Sequence, residues 1–525
     1  MKTICIKNSI SHMKIRHMLE YVYFIVLMAG LSFFFTEGYW NLGDDKYHIF
    51  IYLSYVFIPI WMIASIIDVI HGKNKIYQKI IEWETRDYFV LAFWSAAVIS
   101  TLTSNYRHTS WKGSEGWYMG LFVQSIIVII YIMAKDLTAS ISKKALIDLV
   151  KIMMGIAGIV FLLGILNRFS IFPIKMKGQQ EDFISTLGNI NWYSGYWTIW
   201  VGIATGLYIN AKEKKDRKYL AAYVFLLAIA GVTCGASSCY LVWGGVSVVS
   251  LLIILDDPEK ILRWIHIQLI ALTSLPTVRF IGLIRPNRMW YDSSWLRNVT
   301  YGNAWFKPFI LGSLALILLG IYIKYHFKSY EFLKGFIIGA LVAFVMGIIV
   351  IIVLNTIIEG GIWPVRGKRI FTWGNTWGNG RGGIWSVVIR MIAHFPPFTI
   401  FFGVGCDCLS EYAYSTTELK SWMWLALGDG LLTNAHNEML TMLFNEGIYG
   451  LIVYIGLIWT HARDGIKNIK NNVFILAMGL AMAGYVSIGL VSFMNILSTP
   501  FFFLVMGMLS GLIKRDSVNI MNDMS

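Results

Sequence analysis

The residues best suited to proton transfer lie in the run Asn434-Ala435-His436-Asn437-Glu438, which leads into Leu440, Leu443 and Phe444 and reaches Gly447. Imidazole gives and takes protons near neutral pH, so His436 is a candidate general base, with Asn437, Glu438 and Glu446 as candidate supports. A histidine placed this way also serves as an ordinary exposed side chain. The residue best suited to an anion is Arg381, within Gly378-Asn379-Gly380-Arg381-Gly382-Gly383-Ile384-Trp385. Flanking glycines leave a guanidinium unshielded, and a guanidinium grips phosphate oxygens through two N–H groups at once. Arg285, Arg288 and Arg369 are further cations for the same task. In Gly188-Asn189-Ile190-Asn191, the amides of Asn189 and Asn191 can cap a helix or bond sugar hydroxyls.

These residues must be positioned by helices. The spacing of Leu440, Leu443 and Phe444 predicts an amphipathic helix that ends at Gly447 and feeds an apolar span from Ile448. The chain has 525 residues, 57% of them hydrophobic and 14% charged, with a mean hydropathy of +0.61. A soluble domain carries about 25% charged residues. Runs such as Leu19 to Thr36, Tyr47 to Ile70 and Phe332 to Asn355 suffice to cross about 30 Å of hydrocarbon as helices, and they lack the alternation of barrel strands. The pattern predicts an all-α, polytopic helical membrane protein with about 14 transmembrane helices. They lie near 19–36, 47–70, 87–104, 117–134, 146–166, 192–210, 219–234, 237–255, 264–284, 308–323, 332–355, 448–460, 473–492 and 497–513. With no repeat and no linker, residues 1–525 form a single membrane domain, and 357–447 is a long extracytoplasmic loop that carries the candidate site.

The formal charge of +14 records orientation before it records a partner, and no nucleic acid is expected. Lys and Arg concentrate on the side of the termini, for example in Lys212-Glu213-Lys214-Lys215-Asp216-Arg217-Lys218, which predicts cytoplasmic termini and an active site on the extracytoplasmic face. The 357–447 stretch holds Arg366, Lys368, Arg369, Arg381 and Arg390 among Trp363, Trp373, Trp377, Trp385, Trp422 and Trp424. Such residues also gather at headgroups as interfacial anchors. The five cysteines have neither zinc spacing nor a disulfide framework, so isolated thiols are expected. Asp44-Asp45 reads as a solvated acidic turn, with a metal site as the alternative.

The ordered set of these elements resembles the O-antigen ligase and O-antigen polymerase superfamily of GT-C type membrane glycosyltransferases. The likeness rests on Gly188-Asn189-x-Asn191, on Arg381-x-x-x-Trp385 followed by Gly403-x-Gly405, and on the His436-Asn437…Glu446-x-Gly447-x-x-Gly450 element. The resemblance implies a donor glycan on undecaprenyl diphosphate, transferred with inversion and with neither metal nor other cofactor, in the bacterial cytoplasmic (inner) membrane. It implies that Arg381 binds the diphosphate and His436 activates the acceptor hydroxyl. Relatives carry a Ser-Arg pair where this chain reads Ser237-Ser238-Cys239-Tyr240, so Arg285 or Arg288 is expected to substitute.

The expected reaction is polymerisation of lipid-linked repeat units into a surface polysaccharide, O-antigen, capsule or exopolysaccharide. The alternatives are ligase-type transfer of a finished glycan to a lipid, protein or wall acceptor, and transport of lipid-linked glycans. Transporters place charges at the bilayer midplane, whereas the unusual residues here lie outside the spans. The expected partners are the lipid-linked oligosaccharide, membrane lipids, and polysaccharide chain-length or export proteins.

Overall fold

A computed structural model describes residues 14–71, 83–286, 294–326, 328–358, 361–362, 365, 368, 371–470 and 472–524, without the side chains of 294–295 and 517–524. Among the described residues the fold is helical, save for one antiparallel pair in which Phe183 and Ile184 face Asn189 and Gly188. Arg288 and Arg369, with Trp363 and Arg366, lie outside the described residues.

Nine helices among the described residues are long and apolar enough to cross a membrane, and Ser238–Ile254 and Val473–Gly489 are shorter apolar helices. The sequence pattern expects about fourteen. Helices also occupy three further expected stretches, Thr85–Thr103, Ile190–Asn210 and Thr499–Met524, which hold more polar and aromatic residues. Gly235, where the sequence suggests a tight hairpin, is a break between two helices. That residue takes φ 82° and ends the Lys214–Cys234 helix before Ser238–Ile254 begins.

The Ile190–Asn210 helix sits at the centre, with Tyr193, Tyr196, Trp197 and Trp200 buried. It packs along Val473–Gly489, where Gly202 and Gly206 let the two backbones touch; a Cβ on either would collide with the backbone at Ala481 or Ala477. Gly507 and Gly511 do the same for Thr499–Met524 against Tyr131 and Lys135 on Leu121–Ser140. Close approach through small residues is how helices associate where lipid removes the hydrophobic drive. At the helix ends away from His436, Lys135 pairs with Asp87 at 2.5 Å and Arg86 with Asp464 at 2.9 Å, so buried charges are paired. Phe306–Tyr325 and Leu333–Ile357 leave their apolar surfaces almost wholly uncovered by the rest of the chain, as hydrocarbon-facing helices do.

The 357–447 stretch departs from the expected loop. From Arg381 it folds into the helices Arg381–Ala393, Pro397–Phe402, Leu409–Ala413 and Thr417–Leu427. These enclose their own apolar core of Val388, Met391, Phe395, Leu409, Trp422, Met423 and Phe444. Arg390 and Trp422 serve this layer, the guanidinium stacking 4.1 Å from the indole centroid.

Candidate functional site

The amphipathic helix expected before Gly447 is present. Asn437 is its N-cap, accepting from Leu440 N at 2.9 Å, and Gly447 breaks it with φ 71° and ψ −168° before the span continues to Asn468. His436 stands one residue ahead of the cap with φ 46°, held by an Asx turn in which its N–H donates to Asn434 Oδ1 at 2.9 Å. Trp385 Nε1 donates to Ala435 O at 3.0 Å and Asn437 Nδ2 to Leu490 O at 3.1 Å. The histidine is therefore carried on a loop tied down on both sides.

Arg381 opens the Arg381–Ala393 helix after a turn in which Gly378, Asn379 and Gly380 all have positive φ. Its Nε and Nη2 donate to Val491 O at 3.2 and 2.8 Å, and its Nη1 donates to Gly378 O at 2.9 Å. A guanidinium has five N–H groups, so two remain for a ligand. Arg381 and Trp385 lie one helical turn apart on one face. One binds the carbonyl of Val491 and the other that of Ala435, which explains the Arg-x-x-x-Trp spacing. Trp385 also joins Trp373 and Trp377 in a cluster of three indoles.

The two candidate groups share one electrostatic environment. Burial, and after it the charge of Arg381, push the His436 imidazole down to about 4, so it is neutral at pH 7. Burial alone pulls Arg381 below its usual value, yet a guanidinium stays protonated. Neither ring nitrogen of His436 has a hydrogen-bond partner among the described residues, and the ring meets Phe493 edge-on at 5.3 Å. NMR titration of the purified protein is expected to place His436 near 4. Arg381→Gln should raise that value while leaving it under 6.5, because burial is the larger cause. A wild-type value at 6.5, or a downward move in the variant, would contradict this electrostatic account.

The expectation that Glu446 or Glu438 orients His436 is corrected. Glu446 is fully buried and accepts from Gln124 Nε2 at 3.0 Å and Cys406 Sγ at 3.6 Å. Glu438 accepts from Tyr454 OH at 2.9 Å and Tyr485 OH at 3.2 Å. The glycines around Glu446 are structural as well: Gly405 N donates to Asn445 O at 3.0 Å, and Gly403 and Gly447 let the 403–405 segment cross the helix break. Asn189 takes the capping alternative, its Oδ1 accepting from Asn191 N at 2.8 Å. Asn191 is half-buried, and its carbonyl accepts from Ser194 Oγ at 3.0 Å. Arg285 ends the Pro258–Ile284 helix, half-buried, and the structure links it to neither Arg381 nor His436. Asp45 is no solvated turn residue. It is buried and accepts from Thr36 N and Oγ1 at 2.7 and 2.8 Å, while Asp44 accepts from Tyr118 OH. The cysteines Cys234, Cys239, Cys406 and Cys408 are free and buried.

Several residues of the site gave no usable signal in the sequence. Val491 supplies the carbonyl that fixes Arg381, and Phe493 bridges His436 to Trp117, which in turn meets Trp192 at 5.6 Å. This line of rings ties Trp192, beside the Gly188-to-Asn191 element, to His436 at one mouth of the helical bundle, and Val491, two residues before Phe493, holds Arg381 there. Asp407 is a further residue of this region that no motif includes. Its carboxylate accepts from Ser114 N at 2.7 Å and Met119 N at 3.0 Å, pinning the Trp117 loop, and burial pushes it up to about 7. Arg168 is fully buried and donates to Thr233 O, Cys234 O and Glu181 O. Set against known proteins, the chain matches no family model and no curated protein.

Proposed function

We propose that this chain is a bacterial inner-membrane glycosyltransferase that polymerises undecaprenyl-diphosphate-linked oligosaccharide repeats into a surface polysaccharide. The observation that carries the reading is the joint placement of a partly uncommitted guanidinium, Arg381, and an unpartnered neutral imidazole, His436, at one mouth. In such a transfer the acceptor oxygen forms the bond to the anomeric carbon as the bond from that carbon to the phosphate oxygen breaks. The acceptor proton passes to His436, and the electron pair leaves on the lipid diphosphate. A fixed cation facing that oxygen stabilises the transition state more than the ground state. Inversion follows from a single displacement at that carbon.

The reading includes fourteen crossings with both termini cytoplasmic, the mouth of His436 and Arg381 opening on the extracytoplasmic face. The bias of Lys and Arg supports that orientation.

The test is transfer by the purified full-length chain supplied with a lipid-diphosphate oligosaccharide, run beside His436→Ala. A ladder of products with release of undecaprenyl diphosphate is expected from wild type and not from the variant, whose yield of folded protein should be unchanged. One glycan length joined to a different acceptor would make the chain a ligase. Lipid movement across vesicles with no transfer would make it a transporter, and full activity in His436→Ala would remove the imidazole from the chemistry.

A further inference from the structure

A cavity of about 570 Å³ lies beside the mouth, between the start of the Leu42–Ile70 helix, the 108–118 segment and the loop that leads to His436. Its volume falls within the range of roughly 300–1,000 Å³ usual for small-molecule sites. It is lined by Asp44, His108, Lys112, Glu115, Trp117 and Glu411, among others. Trp117 belongs to both places: it lines the cavity, and its ring meets Phe493 at 4.6 Å, while Phe493 meets His436 at 5.3 Å. One aromatic ring therefore separates the cavity from the imidazole.

The wall is built to hold its shape. The 113–120 turn closes on itself, because a Cβ on Gly113 would come within 2.6 Å of the Tyr118 backbone. Asp407 fixes the same turn through the N–H groups of Ser114 and Met119. Tyr118 stacks on Tyr47 with centroids 4.1 Å apart and donates to Asp44, joining the turn to the Leu42–Ile70 helix.

The charge of the cavity opposes that of the chain. Three carboxylates, Asp44, Glu115 and Glu411, face one ammonium, Lys112, in a protein of formal charge +14. A diphosphate, a phospholipid headgroup or a uronate would meet repulsion here, and its place is at Arg381. Carboxylates accept hydrogen bonds only, so they suit a ligand rich in hydroxyl donors, and charge-assisted bonds to them are the stronger kind. An indole face beside them offers apolar surface to the C–H side of a ring.

We infer that this cavity receives a sugar unit of the acceptor glycan, one without acidic groups, and leaves the neighbouring unit that bears the reacting hydroxyl to reach past Phe493 to His436. The inference rests on the transfer reading of Arg381 and His436, and it separates the two substrates by charge. The anionic donor is drawn to the guanidinium, and the hydroxyl-rich acceptor to the carboxylate-lined cavity.

The experiment is calorimetric titration of the full-length protein in nanodiscs, with no donor present, using chitotetraose and tetragalacturonate as probes. Chitotetraose is expected to bind saturably and at least about tenfold more tightly than the uronate, since loss of charge-assisted bonds has this size. Trp117→Ala should weaken chitotetraose by a similar factor. So should the double variant Glu115→Gln with Glu411→Gln, whose two exposed side chains leave the fold undisturbed. Equal affinity for the uronate, unchanged binding in the double variant, or no saturable binding of chitotetraose would overturn the inference. Because binding is read without turnover, its failure is distinct from failure of the transfer reading. Chitotetraose bound by a protein inactive with every donor would leave the cavity standing and remove the transferase.

Discussion

Replacing Arg381 with alanine is expected to lower kcat/KM for glycan transfer by about 10²–10³, the usual cost of removing one fixed group that stabilises developing negative charge. The guanidinium is fixed before any donor arrives, since Val491 O takes Nε and Nη2 and Gly378 O takes Nη1. It also stands at the first turn of a 13-residue helix, whose N-terminal amides favour an anion. Because the interaction strengthens as the leaving diphosphate gains charge, most of the loss should fall in kcat. Arg381→Lys should recover little, because a single ammonium cannot keep both carbonyl ties and still face phosphate. Steady-state kinetics with a lipid-diphosphate donor, beside a thermal melt showing retained fold, is the measurement. A folded Arg381→Ala protein with wild-type turnover would remove Arg381 from the chemistry.

Gly447→Ala is expected to be severely damaging for a single added methyl. At φ 71° and ψ −168° the backbone takes a conformation essentially reserved to glycine, which costs of order 1–3 kcal/mol for any other residue. The added Cβ would also run into the backbone of Phe401 and Phe402, where no side-chain rotation can make room. The 403–405 segment would have to move, and with it the bonds from Val404 N to Phe444 O and from Gly405 N to Asn445 O. That displacement reaches the Asn437-capped helix that carries His436 at its start. Loss of most transfer activity with a lowered melting temperature is expected. Gly479→Ala, in the middle of a helix with open space around its Cβ position, should leave both intact. A Gly447→Ala protein as stable and active as that control would show that the break is not needed.

Much of this protein was legible from local chemistry. Runs of apolar residues become helices because in hydrocarbon every backbone N–H and C=O must be satisfied within its own segment, a condition that neighbouring residues meet alone. The caps at Asn189 and Asn437 and the break at Gly447 are local for the same reason: a short polar side chain bonds the next turn, and a glycine ends it. The Arg-x-x-x-Trp spacing was also visible, as two side chains on one helical face.

What those side chains hold was decided only by the tertiary structure. Arg381 is fixed by a carbonyl 110 residues away and Trp385 by one 50 residues away. Glu446, placed by its motif beside His436, is taken instead by Gln124 and Cys406, because a buried carboxylate needs donors and those were the ones that folding brought near. The stretch read as a loop holds a core of its own, since Val388 and Met391 on one short helix, Trp422 on another and Phe444 on the Glu438–Asn468 helix meet where no single apolar run announces it. Phe493, Trp117 and the cavity wall belong to segments far apart along the chain. Helices come from interactions within a few residues, and one sequence displays those directly; a site is made where distant segments meet, and packing alone sets which ones do.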